Sequence, residues 1–170
     1  ISDCLVGSEM CIRDSSLDEV TDVFLTHLHF DHCGGGVKWQ DRDKSILEPV
    51  FKNAHYWSNK SHWNWAIHPN PREKASFLTE NLKPIEKSGQ LKFVSRKQQI
   101  TKGVFKGIDV FFADGHTESQ MIPIINYKDQ KIVFTADLLP STGHIPLPYV
   151  MGYDTRPVSY THLTLPTTTI

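Results

Sequence analysis

Several things are scarce in this sequence, and each scarcity removes a class of protein. No apolar run approaches the roughly 20 residues that cross a bilayer, so no membrane partner is expected. Lysine and arginine total 18 against 19 acidic residues, a net charge of −1, and no long run carries one sign. Phosphate binding needs clustered cations, so no nucleic-acid partner is expected either. There are three cysteines, two of which, Cys4 and Cys11, fall in an anomalous opening segment. Cys33 is left alone in the body of the chain. It builds no disulfide framework, and it tilts the expected location towards the cytoplasm. With 39% hydrophobic and 22% charged residues, 170 positions suffice for one globular domain and not for two. The expected partner is a small-molecule substrate; oligomeric state is not legible.

The ends do not read like the middle. Residues 1–15, ISDCLVGSEMCIRDS, hold no signal-peptide pattern, and residues 158–170, VSYTHLTLPTTTI, are Thr-rich without turn chemistry. Both strings resemble translated sequencing-adapter sequence of the kind found at the ends of metagenomic fragments. The expected organisation is a partial domain over 16–157 between two non-native tails.

What the body does have is histidine. Residues 22–26, DVFLT, read as a buried strand running straight into HLHFDH at 27–32 and then Gly34, Gly35 and Gly36. Three histidines and an aspartate thus sit at a strand's C-terminal end, the edge where α/β sheets form ligand sites. Further strands are expected at 50–57, 91–95 and 108–113, the last delivering Asp114 and His116. Helices are expected at 59–66 and 71–87, with Pro71 starting the second, Gly89 ending it, and Pro84 kinking it or stopping it early. Residues 121–127 and 131–136 read as a hairpin turning at 128–130 and ending at Asp137, and 138–157 as a Pro- and Gly-rich loop. Mixed strands and helices make the class α/β.

Three strand ends therefore supply possible metal ligands: the 27–32 segment, His116 and Asp137. Alternate residues of an extended segment face one way, so His27 and His29 can reach one cation together. Asp31 and His32 follow the turn and can aim at a neighbouring position. Imidazole and carboxylate suit zinc, and also Fe, Mn or Co. A carboxylate such as Asp137 can bridge two cations about 3.5–4 Å apart, which can then hold a hydroxide and clamp attacking and leaving oxygens. The competing reading, ordinary loop histidines near a Gly-rich turn, suits one histidine; it does not suit this cluster.

THLHFDHCGG at 26–35 matches the T-H-x-H-x-D-H-x-G-G signature of the metallo-β-lactamase superfamily at every position. DGHTESQ at 114–120 and FTADLLP at 134–140 resemble its later motifs. The resemblance implies a metallo-β-lactamase αββα sandwich, here truncated at both ends, with two divalent metal ions, zinc foremost. It implies His27, His29 and His116 on the first metal, Asp31 and His32 on the second, and Asp137 between them. The family usually supplies one more histidine well after the bridging aspartate; His144 lies too close behind Asp137, and His162 falls in the suspect tail.

The activity implied is that of a dinuclear metallohydrolase attacking a carbonyl or phosphoryl centre with a metal-bound hydroxide, with Asp31 and Asp137 catalytic. The loop ADLLPSTGHIPLP and the stretch FKNAHYW most resemble the branch holding N-acyl-homoserine lactonases and methyl parathion hydrolase. A small ester, lactone or organophosphate is the expected substrate. The rival readings are a superfamily phosphodiesterase or nuclease, which would show basic patches, and a catalytically incomplete metal-binding fragment.

Other residues divide between site and scaffold. Phe30, between two ligands, is expected in a substrate pocket, and His144 either touches substrate or makes a loop hydrogen bond. Cys33 reads as buried packing. At least two of Trp39, Trp57, Trp63 and Trp65 read as packing for the helix at 59–66. His55, His62 and His68 read as surface or helix-face residues, and Asp114 as a carboxylate orienting a ligand from behind. Arg72, Glu73 and Lys74 read as a solvated helix face.

Overall fold

The computed structural model describes residues 16–41, 45–145, 151, 152, 154–156 and 159. The tails expected at 1–15 and 158–170, with His162, otherwise lie outside the described residues, as does 146–150. Strand β1 (Asp22–Phe24) leads into the short helix α1 (Phe30–Cys33), then β2 (Val37–Trp39), β3 (Leu47–Pro49) and β4 (His55–Ser58). Helices α2 (Lys60–Ile67) and α3 (Thr79–Lys87) follow, then β5 (Leu91–Phe93), β6 (Ile100–Phe105), β7 (Ile108–Ala113), β8 (Gln120–Tyr127) and β9 (Gln130–Val133).

The strands form a parallel sheet in the order β1-β4-β5, an antiparallel β2-β3 ribbon, and an antiparallel meander β6-β7-β8-β9. Side-chain alternation turns these sheets into layers. In β7, Val110 and Phe112 join Met121, Val94, Phe24 and Trp57 in one apolar cluster, which therefore lies between the parallel sheet and the meander. Phe111 and Ala113 point the other way, onto Ile122 and Leu138. On the far side of the parallel sheet, Leu25, Leu28 and Tyr56 pack against Trp63 and Ala66 of α2 and Leu82 and Ile85 of α3. The result is helix, sheet, sheet, with a single 3-10 turn, Ala136–Leu138, covering the meander's outer face among the described residues.

Local chemistry explains where the elements depart from expectation. The helix expected over 71–87 is divided into a 3-10 turn, Lys74–Ser76, and α3. Phe77 and Leu78 are extended between them, and Phe77 is buried in the core, which outweighs continuing the helix. Pro71 starts neither piece, and Pro84 does not stop α3, which runs to Lys87 and ends before Gly89 at φ +76°. The strand expected at 50–57 begins only at His55, after a turn closed by Ala54 N–H donating to Phe51 O (3.3 Å). β5 stops at Phe93, not residue 95. β2, β3 and β6 were not legible: they are short or mostly exposed, and lack a period-2 pattern. β9 ends at Val133, because Ala136 adopts φ +44° and carries the chain into the turn that bears Asp137.

The glycines behind the histidine segment have a steric role at one position. A Cβ on Gly36 would lie 3.1 Å from Tyr56 Cε1, while the Tyr56 hydroxyl donates to Gly36 O (2.9 Å) and accepts from Phe51 N–H (3.1 Å). Tyr56 is fully buried and cannot swing away without losing both bonds. Gly36→Ala is expected to destabilise the chain by about 1–3 kcal/mol, as overpacking does. An unshifted urea midpoint would show that the tyrosine yields freely.

Candidate metal centre

The site begins where β1 ends. Thr26 O accepts from Met121 N–H (2.8 Å), tying the end of β1 to β8 of the opposite sheet. Leu28 then packs into the core beneath the helices, while the His27 and His29 rings lie together, their centroids 4.8 Å apart. His29, at φ −62° and ψ 148°, caps α1, its carbonyl accepting from His32 N–H (2.9 Å) and Cys33 N–H (3.0 Å). That single turn of helix brings His32 back over His27, ring centroids 4.0 Å apart. His116 arrives just beyond β7 and Asp137 on its 3-10 turn.

Two groups of donor atoms result, His27 with His29 and His116, and His27 with His32 and Asp137, each within 4.8 Å. The rings of His27, His29 and His116 stand 4.8–5.1 Å apart at interplanar angles of 72–87°. His29 Nδ1 and His116 Nε2 are 3.1 Å apart. Asp137 lies between the groups, Oδ1 at 3.2 Å from His32 Nε2 and Oδ2 at 3.5 Å from His116 Nε2. Asp31 is at the rim: its carboxylate is 58% exposed and 3.5 Å from His32 Nε2.

The opposite nitrogens are tied back. His116 Nδ1 bonds Asp154 Oδ1 (3.0 Å), His29 Nε2 bonds Glu73 Oε1 (3.0 Å), and His27 Nδ1 bonds Thr26 Oγ1 (3.1 Å). Burial, then the neighbouring histidines, hold the His27 imidazole well below its ordinary value of 6.5, so it is neutral. The hydrogen bond to Asp137 raises His32 despite burial, and the same bond lowers Asp137.

The Metallo-beta-lactamase superfamily pattern matches residues 6–168. The chain belongs to the metallo-β-lactamase superfamily. No curated protein matches it in sequence. Among solved structures it is similar to a "probable metal-dependent hydrolase" from Staphylococcus aureus, at 23% identity and TM-score 0.75 over 91% of this chain and 51% of that one. It is similar to AidC, a dizinc quorum-quenching lactonase, at 25% identity and TM-score 0.70 over 92% and 55%. AiiA from B. thuringiensis, solved as a mutant with N-decanoyl-L-homoserine bound at its active site, shares 16% identity and TM-score 0.51 over 74% and 41%. The first and third likenesses are of fold. The chain spans about half the length of the solved proteins it matches.

The metallo-β-lactamase superfamily implies divalent metal ions, and the donor set fits them. His27 Nε2 is buried with no hydrogen-bond partner, which is costly unless a cation accepts its lone pair. Tetrahedral zinc, with bonds of about 2.0–2.1 Å to imidazole nitrogen, sets such nitrogens about 3.3 Å apart, close to the His29–His116 spacing of 3.1 Å. Gln120 Oε1, also buried without a partner, would face His27 Nδ1 if its amide turned over, since Gln120 Nε2 now lies 3.4 Å from that atom.

Several supporting residues were misread or missed. Asp114 orients no ligand: it holds Arg96 (3.0 Å) and Ser119 N–H (2.8 Å). The carboxylates behind the histidines are Asp154, in the stretch read only as a loop, and Glu73, read as solvated but buried. His62, read as a surface or helix-face residue, does lie on α2, yet it is fully buried, accepts from Leu28 N–H at Nε2 (2.8 Å) and donates from Nδ1 to Glu118 O. His144 shares a loop hydrogen bond with Ser141 Oγ (2.9 Å), and Phe30 is half exposed beside the ligand segment. Cys33 is buried packing, its thiol pushed up to about 12 by burial, and Trp63 and Trp65 pack α2 as expected. Trp57 instead packs between the sheets, and Trp39 is exposed.

His62 makes the metal-free chain sensitive to acid. Burial holds its imidazole at about 4, against 6.5 when unfolded. A depressed folded value means that stability is full above pH 6.5 and declines as pH falls towards 4. The contribution lost by pH 5 is on the order of 2 kcal/mol, and buried His27 acts in the same direction. Urea midpoints should therefore fall between pH 7.5 and pH 5. Equal midpoints would show that neither imidazole is kept neutral by folding.

Proposed function

We propose that this chain forms the metal site of a dinuclear zinc hydrolase acting on a small lactone, ester or organophosphate. The observation that carries the reading is Asp137. Its two oxygens face histidines of two donor groups that share His27, as a residue placed between two cations would. In this reading His27, His29 and His116 would hold one ion, Asp31 and His32 the other, and Asp137 would serve both. Bound there, the ions would supply Lewis acidity and activate water at neutral pH.

The chain's own side chains do the rest. The imidazoles of His27, His29 and His116, tied from behind, would keep a lone pair directed inward. Asp31, exposed and 3.5 Å from His32 Nε2, would pass a proton to the leaving group. Phe30, half exposed and adjacent in sequence to His29 and Asp31, would offer substrate an apolar surface. The likeness to AidC, a lactonase at 25% identity, supports a lactone as the first substrate to try. The zinc-loaded protein, assayed on a lactone, an aryl ester, a phosphotriester and a phosphodiester, should be fastest on the lactone. Activity confined to phosphodiesters would reject this substrate class in favour of a phosphodiesterase.

A further inference from the structure

Glu73 is 3% exposed, although it lies between Arg72 and Lys74 in a stretch with the pattern of a wet surface. Its backbone N–H is held by Asn70 Oδ1 (2.9 Å), which closes the turn after α2 and points the side chain inward. Oε1 accepts from His29 Nε2 (3.0 Å) and from the Thr117 hydroxyl, and Oε2 accepts from Trp65 Nε1 (2.8 Å).

Trp65 Nε1–H can only donate, and the Thr117 hydroxyl donates to the same group, so both carboxylate oxygens stand as acceptors. With Glu73 accepting, the hydrogen shared with His29 sits on His29 Nε2, and the ring's lone pair is left on Nδ1. That is the nitrogen facing His116 Nε2 at 3.1 Å. Thr117 directly follows His116, so the same carboxylate oxygen also sets the spacing between the 27–32 segment and the 116–117 segment. Trp65 anchors the carboxylate to α2. One buried group thus joins two ligand-bearing segments to the helix layer.

We infer that Glu73 is a positioning residue: it locks His29 as the Nε2–H tautomer, so that Nδ1 is presented to the metal, and it holds the His29 and His116 segments in register. This rests on the metal-binding reading above. Glu73→Gln keeps the size of the side chain and loses the acceptor-only carboxylate that dictates the tautomer. Zinc affinity, measured by chelator competition at neutral pH, is expected to fall about 10- to 100-fold in Glu73→Gln. Glu73→Asp should recover part of the loss. Trp65→Phe, which leaves the bond to His29 in place, should stay within about threefold of the parent.

Urea unfolding of each variant separates affinity from folding. A folded Glu73→Gln chain that binds zinc as tightly as the parent overturns the inference, since a purely structural glutamate would shift the midpoint alone. Nitrogen-15 NMR of the unaltered, metal-free chain with labelled histidine decides the point without any variant. His29 protonated on Nε2 supports the inference, and His29 protonated on Nδ1 overturns it. A parent chain that takes up no zinc would remove the proposed function instead, while the tautomer still reports on Glu73.

Discussion

Asp137→Ala is expected to lower kcat on a lactone or aryl ester by roughly 10²–10³-fold, the scale seen when one preorganised electrostatic group is removed from a site. The side chain is four-fifths buried and has one oxygen on His32 Nε2 and the other on His116 Nε2. Alanine at this position separates the two donor groups and leaves His32 without the hydrogen bond that raises it. Turnover should be compared in a form of the protein extended to the length of its relatives, with zinc content measured alongside. Retained kcat would mean that Asp137 does not lie between the ions.

His116→Ala is expected to reduce bound zinc by about one equivalent per chain, because a tetrahedral site stripped of one of three imidazoles competes poorly for its ion. His116 is 2% exposed, Nε2 faces His29 Nδ1, and Nδ1 bonds the buried Asp154. The control is His144→Ala. That ring shares its hydrogen bond with Ser141 on an outer loop, and zinc content should not change. Unaltered stoichiometry in His116→Ala, by elemental analysis of dialysed protein, would exclude His116 from the site.

Which parts of this centre are readable along the chain depends on how far apart the interacting residues lie. The 27–32 segment is local: extended alternation puts His27 and His29 on one side of Leu28, and one turn of α1 returns His32. Its chemistry survives any error about the rest of the fold. Helix and strand boundaries were less legible. Phe77 broke an otherwise plausible helix by going into the core, and β6 has neither alternation nor burial to announce it.

The supporting carboxylates show the limit most clearly. Asp114 stands two residues from His116 and looks like its partner, yet β7 ends so that it meets Arg96 and Ser119. Glu73 sits in a charged run, and nothing local distinguishes it from Arg72 or Lys74. Its burial follows from the turn after α2 folding over the histidine segment, 44 residues away in sequence. His62 is likewise an unremarkable helix residue until Leu28 N–H and Glu118 O arrive on either side of it.

Sequence by itself determined the family, the mixed α/β class and the candidate ligands, because donor chemistry and short-range spacing are written in consecutive residues. Only the tertiary structure decided which nitrogen of each imidazole faces inward and which buried groups hold the other. Those choices depend on hydrogen bonds between segments that meet only when the two sheets and the helix layer pack together.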